Sequence, residues 1–551
     1  MKKTMKVLSM AALVIVGALL MGCEGIEEIQ QPQQKDNIVT QTTTICFSNS
    51  ESTKALSIDF VNKKSVKSFA EGDQISVVYE NTAGEMNTEI VELTVQDDDT
   101  KAKFTVSMVN PKPSGSLKYI YPAAMAKDND VNYDALTLQD GTLATLASKF
   151  DLALFEGSLT DAGQLPDVEE TQLSNPLAIC AFTLKNSDGS SEINATVTSM
   201  SITDGTYSYA VRRTASADPI YVAMRPTSNA NITIFVTDGS VDYVKSFTKT
   251  LSGKTYVANN VYPLGLRMTD TFFIFTVGNH NQVQRKAYIA KSNLQATYDG
   301  STWTWHFAEH PWDYAGTDNN KINGYGTVSG PCTIDLFGWV GHNTSKSQLK
   351  TGVAQYGIAN SMTNSEYGNN VNDHLLSDWG NTIGGDWLTP DHYDWNVLFD
   401  SRASGSTVNG TTNARYTFAT INTDGEGING IILFPNNVII TRNEATTWGP
   451  INGGNYYTTK CTSAQWTILE TKGCVFLPAA GYRRGNSYNS GAGAAEGHYW
   501  SASPNLQGGN NPTWYAQDRR FFSGMASFSG VKTNRCWGGS VRLIRFLPLD
   551  N

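Results

Sequence analysis

Histidine and cysteine are scarce in this chain, seven of each in 551 residues, and neither falls into a ligand pattern. No HExxH sets two histidines a helical turn apart and no CxxC pair builds a structural zinc site, so the commonest metal frameworks lack support. Basic runs are missing as well. The formal charge is −10 with Lys and Arg dispersed, which leaves nothing to displace phosphate counterions and argues against a nucleic-acid partner. Gly-rich segments such as 508–510 lack the Lys-Ser/Thr of a phosphate-binding loop and open no helix. After residue 21 no apolar run is long enough to span a bilayer. Neither a cofactor nor a metal is expected.

What is present begins with MKKTMKVLSMAALVIVGALLMGC: Lys2, Lys3 and Lys6, then an apolar run from 7 to 21. The run is too short and wrongly flanked for an ordinary span, which predicts a secretion signal over 1–22. Its end, Leu20-Met21-Gly22-Cys23, resembles the bacterial lipobox. That resemblance implies cleavage before Cys23 and an acylated Cys23 as membrane anchor, a multi-chain anchor holding far better than one acyl chain. Glu24, Glu27 and Glu28 resemble the tag that sends lipoproteins of Bacteroides-like bacteria to the outer face of the outer membrane. Residues 23–44, rich in Gln, Asp and Thr, read as a flexible tether because they carry too little apolar surface to fold. The other six cysteines are spread along the chain. Export permits a disulfide, for which Cys461 and Cys474 are the nearest pair, while most read as buried thiols.

The length asks for about three or four domains. From 45 to 268 short alternating segments such as DQISVVY, AKFTVSM, LKYIYP, ITIFVTDG and DYVKSFTKTL are separated by Gly, Asp, Asn and Pro, the pattern of β-sandwiches. Only 141–150 suggests a turn or two of helix. Two tandem sandwiches follow, 45–165 and 166–268. FAEGDQISVVY, YIYPAA, SKFDLALFEG, SNPLAICAFTLKN and GKTYVANNVYPL resemble the fimbrillins, two-domain β-sandwich pilus and adhesin subunits of Bacteroides-like bacteria, with transthyretin-like sandwiches. The resemblance implies trimming near the start of the first sandwich, for which Lys54-Ala55 stands at a similar place with Lys where Arg is usual. Removing an edge strand opens unpaired backbone groups to a strand from another subunit. Since the C-terminal end here belongs to a different domain, a tip position in a filament is expected.

From 269 to 551 the composition shifts to Trp, Asn and Gly. In WLTPDHYDWNVLF the expected helix has Thr389 as cap, Pro390 first, Asp391 at the positive end and an apolar side of Trp387, Leu388, Trp395 and Leu398. In SAQWTILETKG, Ser463 caps, Trp466 and Leu469 face inward and Gly473 ends the helix. With IDLFGW, FLPAAGYR, YWSAS and SVRLIR, the set resembles C-type-lectin-like and formylglycine-generating-like domains, in which two helices flank a small sheet and a long loop region forms the ligand face. The fold class is therefore mainly β: two tandem sandwiches followed by an α+β lectin-like domain. The EPN or QPD and WND ligand sets of calcium-dependent lectins are absent, so the resemblance carries no calcium. Only Cys536 stands where the formylglycine enzymes need two cysteines.

The closing stretch, 481–545, interleaves aromatics with Gly, Asn and Ser, the chemistry of recognition loops; each single aromatic stays open between core and surface. Tyr499, Trp500 and Arg542 read as framing. Tyr488, His498, Asn505, Trp514, Tyr515, Gln517, Arg519, Phe521, Lys532, Asn534 and Trp537 are the ligand-binding candidates. His392, between Asp391 and Asp394, reads as part of a helix start rather than a proton relay. Glu309, Asp313, Asp318 and Asp335 are the acids from which a glycosidase pair would have to come. The expected function is a non-catalytic, lipid-anchored adhesin. Its partners would be a glycan or protein ligand, other pilus subunits by strand addition, and the membrane through Cys23. A surface enzyme and a structural pilus subunit are the alternatives.

Overall fold

A computed structural model describes residues 36–47, 57–59, 64–66, 68–150, 152–240, 242–278, 284–322, 328–339, 378–423, 425–454, 456–484, 487–490, 496–504, 515–522, 531–535 and 537–547. Cys23, Lys54, Ala55, Asn505, Trp514 and Cys536 lie outside them.

The chain is mainly β. In the first sandwich one sheet runs Thr171–Leu173, Ile38–Phe47, Lys101–Val109, Thr94–Val95, and the other Ala153–Ser158, Ser116–Tyr121, Gln74–Glu80, Met86–Glu92. Strict alternation in KAKFTVSMV buries Ala102, Phe104, Val106 and Met108 against Val77, Leu117 and Tyr119. The strand Ile38–Phe47 starts inside the stretch read as tether. Its Thr-rich segment lacks hydrophobic content but holds a full antiparallel register with Lys101–Val109, and Thr40 and Thr42 share hydroxyl hydrogen bonds with Ser107 and Thr105. It is an edge only in part, because Ile45, Cys46 and Phe47 also pair in parallel with Thr171–Leu173.

The second sandwich sets a six-stranded sheet, Leu138–Gln139, Ser208–Arg212, Val197–Thr203, Thr227–Asp238, Lys245–Tyr256, Thr269–Phe272, against Ile220–Met224, Ala178–Lys185 and Asn260–Arg267. Val78, Ile120 and Leu154 of the first sandwich share one core with Leu136, Leu146 and the interior of the second. The short helical turn from Leu143 through Phe150 lies in that joint. Both domain borders are therefore crossed by pairing. Leu138–Gln139 joins the second sheet, Thr171–Leu173 the first, and the second sheet runs on to Phe272.

The C-terminal region closes on itself where Arg285–Ile289 pairs with Ile544–Phe546. Its two expected helices are present, with caps displaced from the expected residues. Asp391 caps His392–Asn396 in a reciprocal box with Asp394, and the helix continues to Ser401. Thr389 is held by the Asp378 carboxylate instead. Thr462, not Ser463, caps Ser463–Thr471 in a box with Gln465. Gly473 at φ +80° follows, where a side chain would be strained. This second helix docks on the second sandwich. Ala464 and Ile468 pack on Ala210, Ser201 and Thr471 hydroxyls are 2.7 Å apart, and Arg212 Nη2 donates to Thr467 Oγ1 at 3.0 Å. Cys461 and Cys474 are free thiols in one apolar cluster, so the disulfide considered between them is not formed; burial pushes the Cys461 thiol up to about 12.

Candidate functional site

The strands Glu496–Pro504, Tyr515–Phe522 and Val531–Asn534 form one antiparallel sheet. Its register sets Tyr515 opposite Asn534 and Gln517 opposite Lys532. Directly opposed residues share a face and alternate residues of a strand repeat it. Tyr515, Gln517, Arg519, Lys532 and Asn534, all expected to bind ligand, thus lie on one face. The Lys532 ammonium sits 4.1 Å from the centre of the Tyr515 ring, a cation–π contact.

The inner end of this strip meets the His392 helix. Arg519 is only 2% exposed, and its Nη2 donates to Asn396 Oδ1 at 2.6 Å and Asp400 Oδ2 at 3.1 Å. Burial works against the charge on Arg519, and the Asp400 carboxylate offsets part of that cost. Arg519 Nε and Nη1 and Gln517 Oε1 are buried without a partner among the described residues. Unpaired buried donors and acceptors in one place are uncommon in native structures. His392 Nε2 pairs with Asn396 Nδ2 at 2.9 Å, and burial and then the nearby Arg519 charge hold the His392 pKa down.

Phe521 continues the same face into the core, stacked on Tyr499 and edge-on to Phe418, so it supports the strip instead of contacting a ligand. His498 is also interior, on the sheet's other face. Its Nδ1 donates to Asp518 Oδ2 at 2.9 Å and its Nε2 to Glu496 Oε1 at 2.7 Å. A carboxylate against each ring nitrogen favours the imidazolium form. Arg520 Nη2 donates to Thr533 Oγ1, which in turn donates to Asp518 Oδ1. The Tyr482 ring lies 4.8 Å from His498 and stacks at 5.5 Å on Trp537, and the Arg484 guanidinium lies 5.3 Å from the centre of the Trp537 ring. Trp537 therefore belongs to a second, separate stack. Tyr488 sits in a third place, its amide donating to Asn320 Oδ1 at 2.6 Å and its phenol pushed up by burial.

Neither Asn396 and Asp400, which hold Arg519, nor Tyr482 and Arg484 of the stack were among the sequence candidates. The four-residue spacing of Asn396 and Asp400 on one helix was a usable signal; nothing comparable marked Tyr482. Three of the four acids considered for hydrolysis have partners of their own. Asp313 accepts from His310 at 3.0 Å, Asp318 pairs with Lys321 at 3.1 Å, Glu309 is exposed, and Asp335 is buried beneath donors from Ala315 and Asn319. Burial raises Asp335 to about 6. Among the described residues no three His, Cys, Asp or Glu converge to hold a metal ion.

Fold and site together define a β-rich chain with a polar and aromatic strip on its C-terminal sheet. No family model and no curated protein matches the chain. Among solved structures it is similar to a "putative cell adhesion protein" of Bacteroides fragilis, at 13% identity over 45% of this chain and 96% of that one, with a TM-score of 0.25. Another so named, from Bacteroides uniformis, matches at 13% identity over 42% and 97%, TM-score 0.24. One from Parabacteroides distasonis matches at 10% identity over 41% and 88%, TM-score 0.23. Likenesses this distant leave the reading to the molecule's own geometry.

Proposed function

We propose that the chain is a cell-surface binding protein, a lipid-anchored adhesin of fimbrillin-like build, whose C-terminal region engages an external glycan or protein through the strip Tyr515, Gln517, Lys532 and Asn534, with the buried Arg519 bracing its inner end. The observation that carries this is the gathering of these side chains on one sheet face, where Arg519 and Gln517 hold buried polar atoms without partners. A ligand rich in hydroxyls or amides finds hydrogen-bonding groups in Lys532 and Asn534 on the same face. The Tyr515 ring with its Lys532 cap offers flat, half-polar area of the kind recognition surfaces use.

Anchoring through acylated Cys23 at the outer membrane follows from the lipobox-like sequence; among the described residues no helix is long and apolar enough to cross a membrane. The strand Ile38–Phe47 supports incorporation in a pilus. Cleavage after Lys54 would free it from beside Lys101–Val109, exposing a ladder that another subunit's strand can fill. A glycan array and a screen of host surface proteins with the full-length chain test the binding reading. It expects a saturable ligand whose binding is lost in Tyr515→Ala and Lys532→Ala with folding intact. Binding unchanged in both variants would place the site elsewhere. Polymerisation of the purified, unprocessed chain by itself would favour a structural subunit over a tip.

A further inference from the structure

Where the second sandwich meets the C-terminal region, the surface opens into a cleft of about 880 Å³. Clefts of this size, set between packed units, hold small ligands. One wall comes from the ends of Val197–Thr203 and Ser208–Arg212 and brings Arg212 and Arg213. Another comes from Trp303–Phe307 and the turn after it, bringing Trp305, Phe307 and His310. Lys291, Asp242, Glu309 and Glu470 complete the charged lining.

The three cations differ in how far they are already satisfied. Arg212 is committed, with Nη2 donating to Thr467 Oγ1 at 3.0 Å, 3.9 Å from Glu470, and its guanidinium over the Trp312 ring at 4.6 Å. Arg213 is tied to its own loop through the carbonyls of Ser216 and Asp218. Lys291 is not committed. Its ammonium makes one long hydrogen bond, 3.4 Å to the Asp238 carbonyl, and among the described residues it forms no direct ion pair, although the charges of Glu470, Asp238 and Asp242 reach it. Enclosure lowers its pKa, the mark of a charge taken from water without a full replacement.

We infer that this cleft is a second binding site, for a saccharide bearing a carboxylate, with Lys291 as its anion contact. A carboxylate arriving at a half-buried ammonium gains a charge-assisted hydrogen bond, stronger there than in open water. Of the acids around Lys291, Glu470 is already answered by Arg212 and Ser199 and Asp238 by Ser240, while Asp242 and Glu309 are exposed, where water weakens their repulsion. Trp305, Phe307 and His310, each half-buried, provide apolar area for the C–H face of a sugar ring.

The test is isothermal titration of the full-length chain, at low ionic strength, with trigalacturonic acid and with the neutral trimer maltotriose. The charged trimer is expected to bind, more weakly as salt is added, and Lys291→Met is expected to cost at least about tenfold in affinity while leaving the fold in place. Arg213→Gln, expected to weaken binding in the same direction, is read if Lys291→Met does not fold. No binding of the charged trimer, equal binding of maltotriose, or full affinity in the lysine variant would overturn the inference. So would loss in Tyr515→Ala with none in Lys291→Met, because that assigns the ligand to the strip.

Discussion

Individual side chains in the C-terminal region act mainly by ending buried polar networks. Arg542 is fully enclosed, its Nε donating to Asn293 Oδ1, its Nη1 to the carbonyls of Ala290 and Lys291, and its Nη2 to that of Phe476, all between 2.7 and 2.9 Å. Burial pulls its pKa down to about 10, so it stays charged at neutral pH. Arg542→Met strands those acceptors and should lower the unfolding free energy by at least about 3 kcal/mol in urea titrations; a loss below about 1 kcal/mol would contradict the network. His498 makes a pH statement. Burial alone would lower its pKa, but the hydrogen bonds to Asp518 and then Glu496 outweigh that and hold it above 6.5. A group raised in this way contributes stability that is complete below its unfolded pKa and lost as pH rises through its folded one. His498→Gln should therefore flatten part of the fall in Tm on the alkaline side of about pH 6.5. A smaller slope of the same sign would remain from His310, which its hydrogen bond to Asp313 raises. Equal slopes in the two proteins would sink the assignment.

At the scale of elements, what could be read from sequence was whatever local chemistry fixes by itself. Alternation in KAKFTVSMV announced its strand, and Gly473 announced a helix stop. Caps were displaced by one or two residues because Thr389, Asp391, Thr462 and Ser463 are all competent caps, and only the tertiary setting, with Asp378 claiming Thr389, chooses among them. The strand Ile38–Phe47 was missed because its stability comes from pairing with a distant partner and not from its own composition. Within the site, the shared face of Tyr515, Gln517, Lys532 and Asn534 depends on register across two strands, which spacing along the chain does not reveal. Phe521 and Arg519 repeat the same face but are covered by the core and the His392 helix, so their burial was equally unreadable. The Thr462–Gln465 box is testable on its own. Thr462→Ala should cost about 1 kcal/mol, measured as a shift in denaturation midpoint with unchanged slope; no shift would mean that packing alone holds the helix.

Taken whole, the molecule is not three beads on a string. The sandwiches share a core around Val78, Ile120 and Leu136, and the Ser463 helix packs on the second sheet through Ala464 and Ile468. A fragment starting at residue 269 would bare that helix face. It is expected to melt below the transition of the same region in the full chain, and equal melting temperatures would show the contact to be energetically idle. The same docking makes the full-length chain the right reagent for binding work. The most direct test of the central claim is the affinity of the full chain and of Tyr515→Ala for whichever ligand the glycan and protein screens return. The strip reading predicts at least about a tenfold loss with an unchanged melting temperature, and equal affinity in the two proteins would contradict it.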